Sequence, residues 1–237
     1  MIANQSLRGA ERRYFTTMAM VILASTIIGF APTYYLRGSI PIGRPVEAMT
    51  LLTHAHGIIF SAWILLFVAQ VGLVAARRTD LHRRMGIVGM ALIAVMIPLA
   101  VIIAIGGVDR PLTAPPGIPP LSWLAVPLLD IPVFGGLIVA ALANRKSPQA
   151  HKRLMLVAMI DMMQPSLGRM AFLGAYGSPA IILACLGSLY IWDLRTIGRI
   201  HPATLWSSAA VIAVIIVTPL TWQTQAWLAF AQWVAGG

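Results

Sequence analysis

Residues 53–78 read THAHGIIFSAWILLFVAQVGLVAARR. From Gly57 to Ala76 no residue is charged, and the run closes on two arginines, Arg77 and Arg78. Wound as a helix rising ~1.5 Å per residue, about 20 apolar residues cross the ~30 Å hydrocarbon layer of a bilayer. The same grammar recurs along all 237 residues, of which 59% are hydrophobic and only 10% charged. Apolar runs punctuated by Gly, Pro and charge predict spans near 14–36, 48–76, 85–107, 122–143, 154–175, 178–194 and 203–225. The expected fold class is therefore all-α, an integral membrane bundle of seven transmembrane helices in a single domain, 1–237.

The charges orient it. Arg8, Arg12 and Arg13, then Arg77, Arg78, Arg83 and Arg84, then Arg145, Lys146, Lys152 and Arg153, then Arg195 and Arg199 fall on one side of the predicted spans, against Arg37, Arg44 and Arg110 on the other. The positive-inside rule makes the first side cytoplasmic, which puts the N-terminus inside and, after seven crossings, the C-terminus outside. The net charge of +10 thus belongs to topology and to anionic lipids at the cytoplasmic face. It does not point to nucleic acid, because the basic residues sit in short clusters between apolar segments. Small residues near Gly29 and Ala31 imitate a signal-peptide cleavage site, but Pro32 follows at once and the apolar run continues, so the first span reads as uncleaved. The outer connections, RGSIPIGRPVE and VDRPLTAPPGIPPLS, are Pro- and Gly-rich loops. Trp222, Trp227 and Trp233 in the tail predict an interfacial belt or a short helix on the membrane surface.

Polar groups inside spans are costly and are functional candidates by default. Asp130, Asp161 and Arg169 are the three clear charged ones. Counting ~1.5 Å per residue from the predicted outer ends puts His56 and Asp130 ~12 Å deep and Arg169 ~9 Å deep. An outer-half cluster of the three follows, with Asp130 and Arg169 as an ion pair and His56 as a titratable neighbour; the plainer reading is an ion pair that only joins two helices. Residues seven apart share a helix face, so His56, Trp63 and Gln70 form one stripe, whereas His54 points elsewhere beside Gly57 and Ser61. Deeper in, Asp161 and Gln70 are expected to meet, next to a kink at Pro165. The methionines around that proline read as adaptable packing.

Two inner segments nearly repeat: LHRRMGIVGMALI at 81–93 and AHKRLMLVAMIDM at 150–162. Each is a histidine, two basic residues and then a helix, which predicts duplicated helical hairpins over 48–107 and 122–175. GRIHPATLW repeats the idea loosely. His82, His151 and His201 thereby collect near the cytoplasmic surface, either as ligands for haem b or a metal ion or as ordinary interfacial hydrogen-bonding groups. A single cysteine, Cys185, removes disulfides and Cys-based clusters within one chain. No lysine lies in a span, which excludes a retinal Schiff base, and no Walker A, HExxH, GxSxG or GxGxxG motif stands in a suitable context.

At AHKRLMLVAMIDMMQPSLGRM the chain resembles uncharacterised bacterial multi-pass membrane proteins with a His-basic-Arg-x-Met run opening a helix and an arginine later in it. His151, Lys152, Arg153, Met155 and Arg169 match, and HGIIFSAWILLFVAQ and LHRRMG are similar too. The resemblance covers spans 2 to 5 and implies a bacterial inner-membrane location without an assigned activity. A more distant likeness is to di-haem b-type membrane cytochromes. It fails in the outer half, where His54 and His56 share one helix with no histidine opposite, and leaves only an inner haem on two of His82, His151 and His201. Three functions are therefore expected in turn: binding or moving a small solute or proton at His56, Asp130 and Arg169; a haem or metal redox protein at the inner histidines; and an assembly partner of a larger membrane complex, respiratory in the redox case.

Overall fold

The computed structural model describes residues 2–42 and 45–236. Every regular element among them is helical, with one isolated bridge between Arg37 and Ile40. α1 (Ile2–Phe30) runs into a π-helical turn at Ala31–Tyr35; α2 (Leu51–Ala75) and α3 (Thr79–Gly106) follow. Then come α4 (Pro120–Trp123), α5 (Ala125–Ala143), α6 (Pro148–Asp161) and α7 (Gln164–Leu167), and last α8 (Gly174–Ile197), α9 (Pro202–Thr221) and α10 (Gln225–Val234). Prolines open α4, α6 and α9, where a missing N–H costs nothing. Thr50 caps α2 by accepting from the Thr53 N–H, and Gly198, at φ 70°, ends α8 in the left-handed region.

Among the described residues six helices are long and apolar enough to cross a membrane: Leu7–Tyr35, Leu51–Ala75, Thr79–Gly106, Pro120–Ala143, Tyr176–Ile197 and Pro202–Thr221. Apolar side chains face outward and several charged and polar ones face inward. Leu, Ile and Val cover the outside, as at Ile58, Val139 and Leu220, while Arg153, Asp161, Asp193, Thr204 and Ser208 are buried. Water-soluble proteins do the reverse with their charges.

The expected fifth span, 154–175, is not a continuous helix. α6 stops after 14 residues, the Met162 and Met163 N–H groups turn back to the Ala158 and Ile160 carbonyls, and α7 restarts for one turn around Pro165. Another single turn, Ala171–Leu173, precedes α8. α6 packs on α1, α5, α8 and α9, and Leu156 through Asp161 are all buried. Irregular backbone at membrane depth is tolerated where protein, rather than lipid, surrounds it. The segment still covers the depth of the bundle. Lys152 is paired with Glu11 at one end of α1, and Gly29 lies against the Ser166 backbone toward the other, eighteen residues and ~27 Å further along α1.

α2 and α3 form an antiparallel hairpin, closed by the bond from Gln70 Nε2 to the His82 carbonyl (3.1 Å). α5 and α6 form a second, closed by the contact of His151 Nδ1 with the Ala141 carbonyl (2.8 Å). At the opposite end of the bundle Arg110 ties the two Pro-rich loops together, donating to the Ala48 carbonyl (2.5 Å) and Thr53 (3.1 Å), while the Leu112 N–H donates to Glu47. Arg44 lies outside the described residues. α10 folds back onto α4 through Trp227, whose indole donates to the Leu121 carbonyl at 2.9 Å.

Candidate functional site

The hairpin α5–α6 fixes the centre of the site by its register. Asp130 stands thirteen residues before the end of α5 at Ala143, and Asp161 thirteen residues after the start of α6 at Pro148. Both are thus ~20 Å from the turn, at the same depth. Their carboxyl groups lie close enough to act electrostatically on each other. Two carboxylates offer no donor, so a hydrogen bond between them requires at least one proton. Asp130 Oδ1 and Asp161 Oδ2 are buried with no hydrogen-bond partner. Two backbone features act on the pair. Asp161 is the last residue of α6, where the helix dipole is negative and opposes an anion. Pro132, inside α5, has no N–H to give the Leu128 carbonyl, which frees an acceptor beside Asp130.

The nearest titratable neighbour acting on Asp130 is Asp161, across the hairpin. Arg169 donates to the Pro165 carbonyl at 2.6 Å, and its guanidinium lies 4.4 Å from the centre of the Phe30 ring. It acts electrostatically on His56, so two members of the predicted outer cluster remain neighbours. The His56 ring packs on Phe60 with centres 3.9 Å apart, and its Nδ1 is buried without a partner. The stripe below His56 is intact but engaged. Trp63 donates to Met159 Sδ (3.1 Å) and meets Phe134 edge-on. Gln70 binds the His82 carbonyl rather than Asp161, leaving its Oε1 buried and unpaired.

Of the three inner histidines the structure brings two together. His82 and His151, the equivalent residues of the repeated motif, have ring centres 6.3 Å apart and planes at 83°. His151 Nδ1 faces the Ala141 carbonyl, which leaves Nε2 as the free ring nitrogen; His82 Nδ1 is buried and unpaired. His201 is elsewhere. Its Nδ1 accepts from the Ala203 N–H at 3.0 Å as the cap of α9. Burial, and then the charge of Arg153, hold its pKa below the ordinary 6.5 and keep that acceptor available. No group of three or more His, Cys, Asp or Glu side chains suited to a metal gathers among the described residues.

Sequence reasoning missed one constellation outright. Arg153, read as a loop charge and a motif residue, is 1% exposed and donates through Nε (2.9 Å) and Nη2 (2.6 Å) to Oδ1 of Asp193, itself 0% exposed. The other carboxylate oxygen accepts from Thr204 Oγ1 (2.6 Å) and the His201 N–H (3.0 Å). One ion pair thus locks α6, α8 and α9 at the end of the bundle that holds the α1 N-terminus. An acidic residue near the inner end of span 178–194, opposite a basic loop, was the available signal.

Compared with protein-family models, characterised proteins and solved structures, the chain matches none.

Proposed function

We propose that the chain is a seven-crossing protein of the bacterial inner membrane, N-terminus cytoplasmic and C-terminus outside, that binds and releases a proton or small solute at Asp130 and Asp161. Six long apolar helices and the ~27 Å path of α6 and α7 beside α1 support the count, the seventh crossing being discontinuous. The gathering of the basic clusters at the α1 N-terminal end supports the orientation. The touching His82 and His151, at equivalent places in two antiparallel hairpins, support a duplication of 48–107 and 122–175 within one domain.

The single observation that carries the functional reading is the buried carboxyl pair at a helix break. A shared proton leaves when a cation or a hydrated path reaches the pair, and the like charges that remain then favour rebinding. In this reading His56 and Arg169 line the outer approach, while Gln70 and His82 line the inner one, each with the unpaired atoms named above except Arg169. In proteoliposomes with a trapped pH indicator, an imposed potential is expected to move protons through the wild type, and Asp161→Asn and Asp130→Asn to abolish that flux while the protein still folds. Unchanged flux in both variants would make the pair structural.

The contact of His82 and His151 favours a second reading, a metal-binding redox protein or an assembly partner of a respiratory complex. An absorption spectrum and metal analysis of protein purified from its native membrane separate the two. A colourless, metal-free protein ends the second.

A further inference from the structure

A second feature of the described residues lies away from the carboxyl pair. It is a groove of about 760 Å³ along α1, bordered by the last residue of α2, Ala75. Its cytoplasmic end is walled by Arg12, Arg13, Thr16 and Thr17. Arg12 is held in place by donating to the Arg8 carbonyl (3.3 Å) and the Ala75 carbonyl (3.4 Å), which occupies two of its five N–H groups. Arg13 is exposed, and neither it nor the two threonine hydroxyls has a hydrogen-bond partner among the described residues. Glu11, the one acidic neighbour in sequence, is turned away to Lys152. Further along, the groove becomes apolar, floored by Met20, Val21 and Ala24.

We infer that this groove is a binding site for one anionic phospholipid of the cytoplasmic leaflet. The inference rests on the membrane reading and orientation above but not on proton binding. Arg12 to Ala24 covers ~18 Å along the helix, close to the ~15 Å half-thickness of the hydrocarbon core plus a head group. Guanidinium and hydroxyl donors therefore stand at head-group level, with an apolar bed where an acyl chain lies. Two arginines bind a phosphodiester through charge-assisted hydrogen bonds. A net-neutral lipid carries its own ammonium, which the arginine pair repels, so the site selects for net negative charge.

The test is native mass spectrometry of the full-length protein in detergent, titrated with phosphatidylglycerol or with phosphatidylcholine of matched chains. One phosphatidylglycerol is expected to remain bound in preference to phosphatidylcholine. The doubly substituted Arg12→Gln/Arg13→Gln protein is expected to lose affinity about thirtyfold, roughly fivefold per arginine. Because Arg12 also ties α1 to α2, Ala24→Phe is the second variant: it fills the acyl bed, keeps both arginines, and is expected to weaken phosphatidylglycerol binding as well. Equal retention of the two lipids, or wild-type binding by both variants, overturns the inference. Displacement of the lipid by inorganic phosphate alone also overturns it, since that marks a free-anion site. A protein that stays in solution without detergent removes the membrane reading and this inference together.

Discussion

Replacing Asp193 by Asn tests the ion pair that joins α6, α8 and α9 at the cost of one atom. The carboxylate accepts four hydrogen bonds, two from Arg153 and one each from Thr204 and the His201 backbone. An amide keeps the shape but removes the charge and turns one acceptor into a donor, which faces either the guanidinium or the Thr204 and His201 groups. Arg153, 1% exposed, is left as a buried cation without its counter-charge, a loss of about 3–5 kcal/mol in such settings. For a chain of this size that lowers the thermal midpoint by roughly 10 °C. Removing both charges with Arg153→Met/Asp193→Leu is expected to recover most of the loss. The remainder, about 1–3 kcal/mol, is the desolvation of Thr204 and the His201 N–H, which the double variant leaves unpaired. The assay is thermal unfolding of the detergent-solubilised protein followed by tryptophan fluorescence. An unchanged midpoint for Asp193→Asn, or a double variant no better than the single, would refute the account of this ion pair.

Other expectations follow from close contacts and from one titratable cap. In Gly29→Ala the new methyl would fall well inside contact distance of the Ser166 carbonyl, backbone against backbone, so a loss of about 1–3 kcal/mol is expected in the same assay. Gly57→Ala, which meets only the Tyr34 ring, is expected to be milder. His201 caps α9 as the neutral ring. Its folded pKa is lowered from 6.5, so the unfolded chain binds the proton more readily, and the stability it contributes is complete above that value and is lost as pH falls below it. His201→Asn keeps a capping oxygen and does not titrate; midpoints measured between about pH 5 and 8 are expected to lose part of their acid-side slope. Proton flux in proteoliposomes, lost in Asp130→Asn and Asp161→Asn, is the functional counterpart.

The helices and the basic side of the bundle were legible because hydropathy and charge act segment by segment. What needed the structure was pairing between segments. Counting depth from a predicted start at residue 154 put Asp161 about seven residues from the inner end; α6 in fact begins at Pro148, which moves Asp161 to mid-depth beside Asp130. The symmetry of that hairpin about its turn would have revealed the match. Pro165 announced a kink, yet the helix breaks earlier, at Met162 and Met163, because burial of α6 on all sides lets irregular backbone survive there. Of the stripe His56, Trp63 and Gln70, spacing predicted the shared face but not that Trp63 is spent on Met159 and Gln70 on the His82 carbonyl. The repeated His-basic motif predicted that His82 and His151 converge. It misjudged His201, because a histidine ahead of Pro202 is also a helix cap.

The proton proposed to be shared by Asp130 and Asp161 is open to direct detection. Infrared spectroscopy of the protein in lipid at neutral pH, compared with Asp130→Asn and Asp161→Asn, is expected to show a protonated carboxylic C=O band in the wild type that shifts in D2O and disappears in both variants. A wild-type spectrum with no such band, or a band that persists unchanged in both variants, would contradict the account.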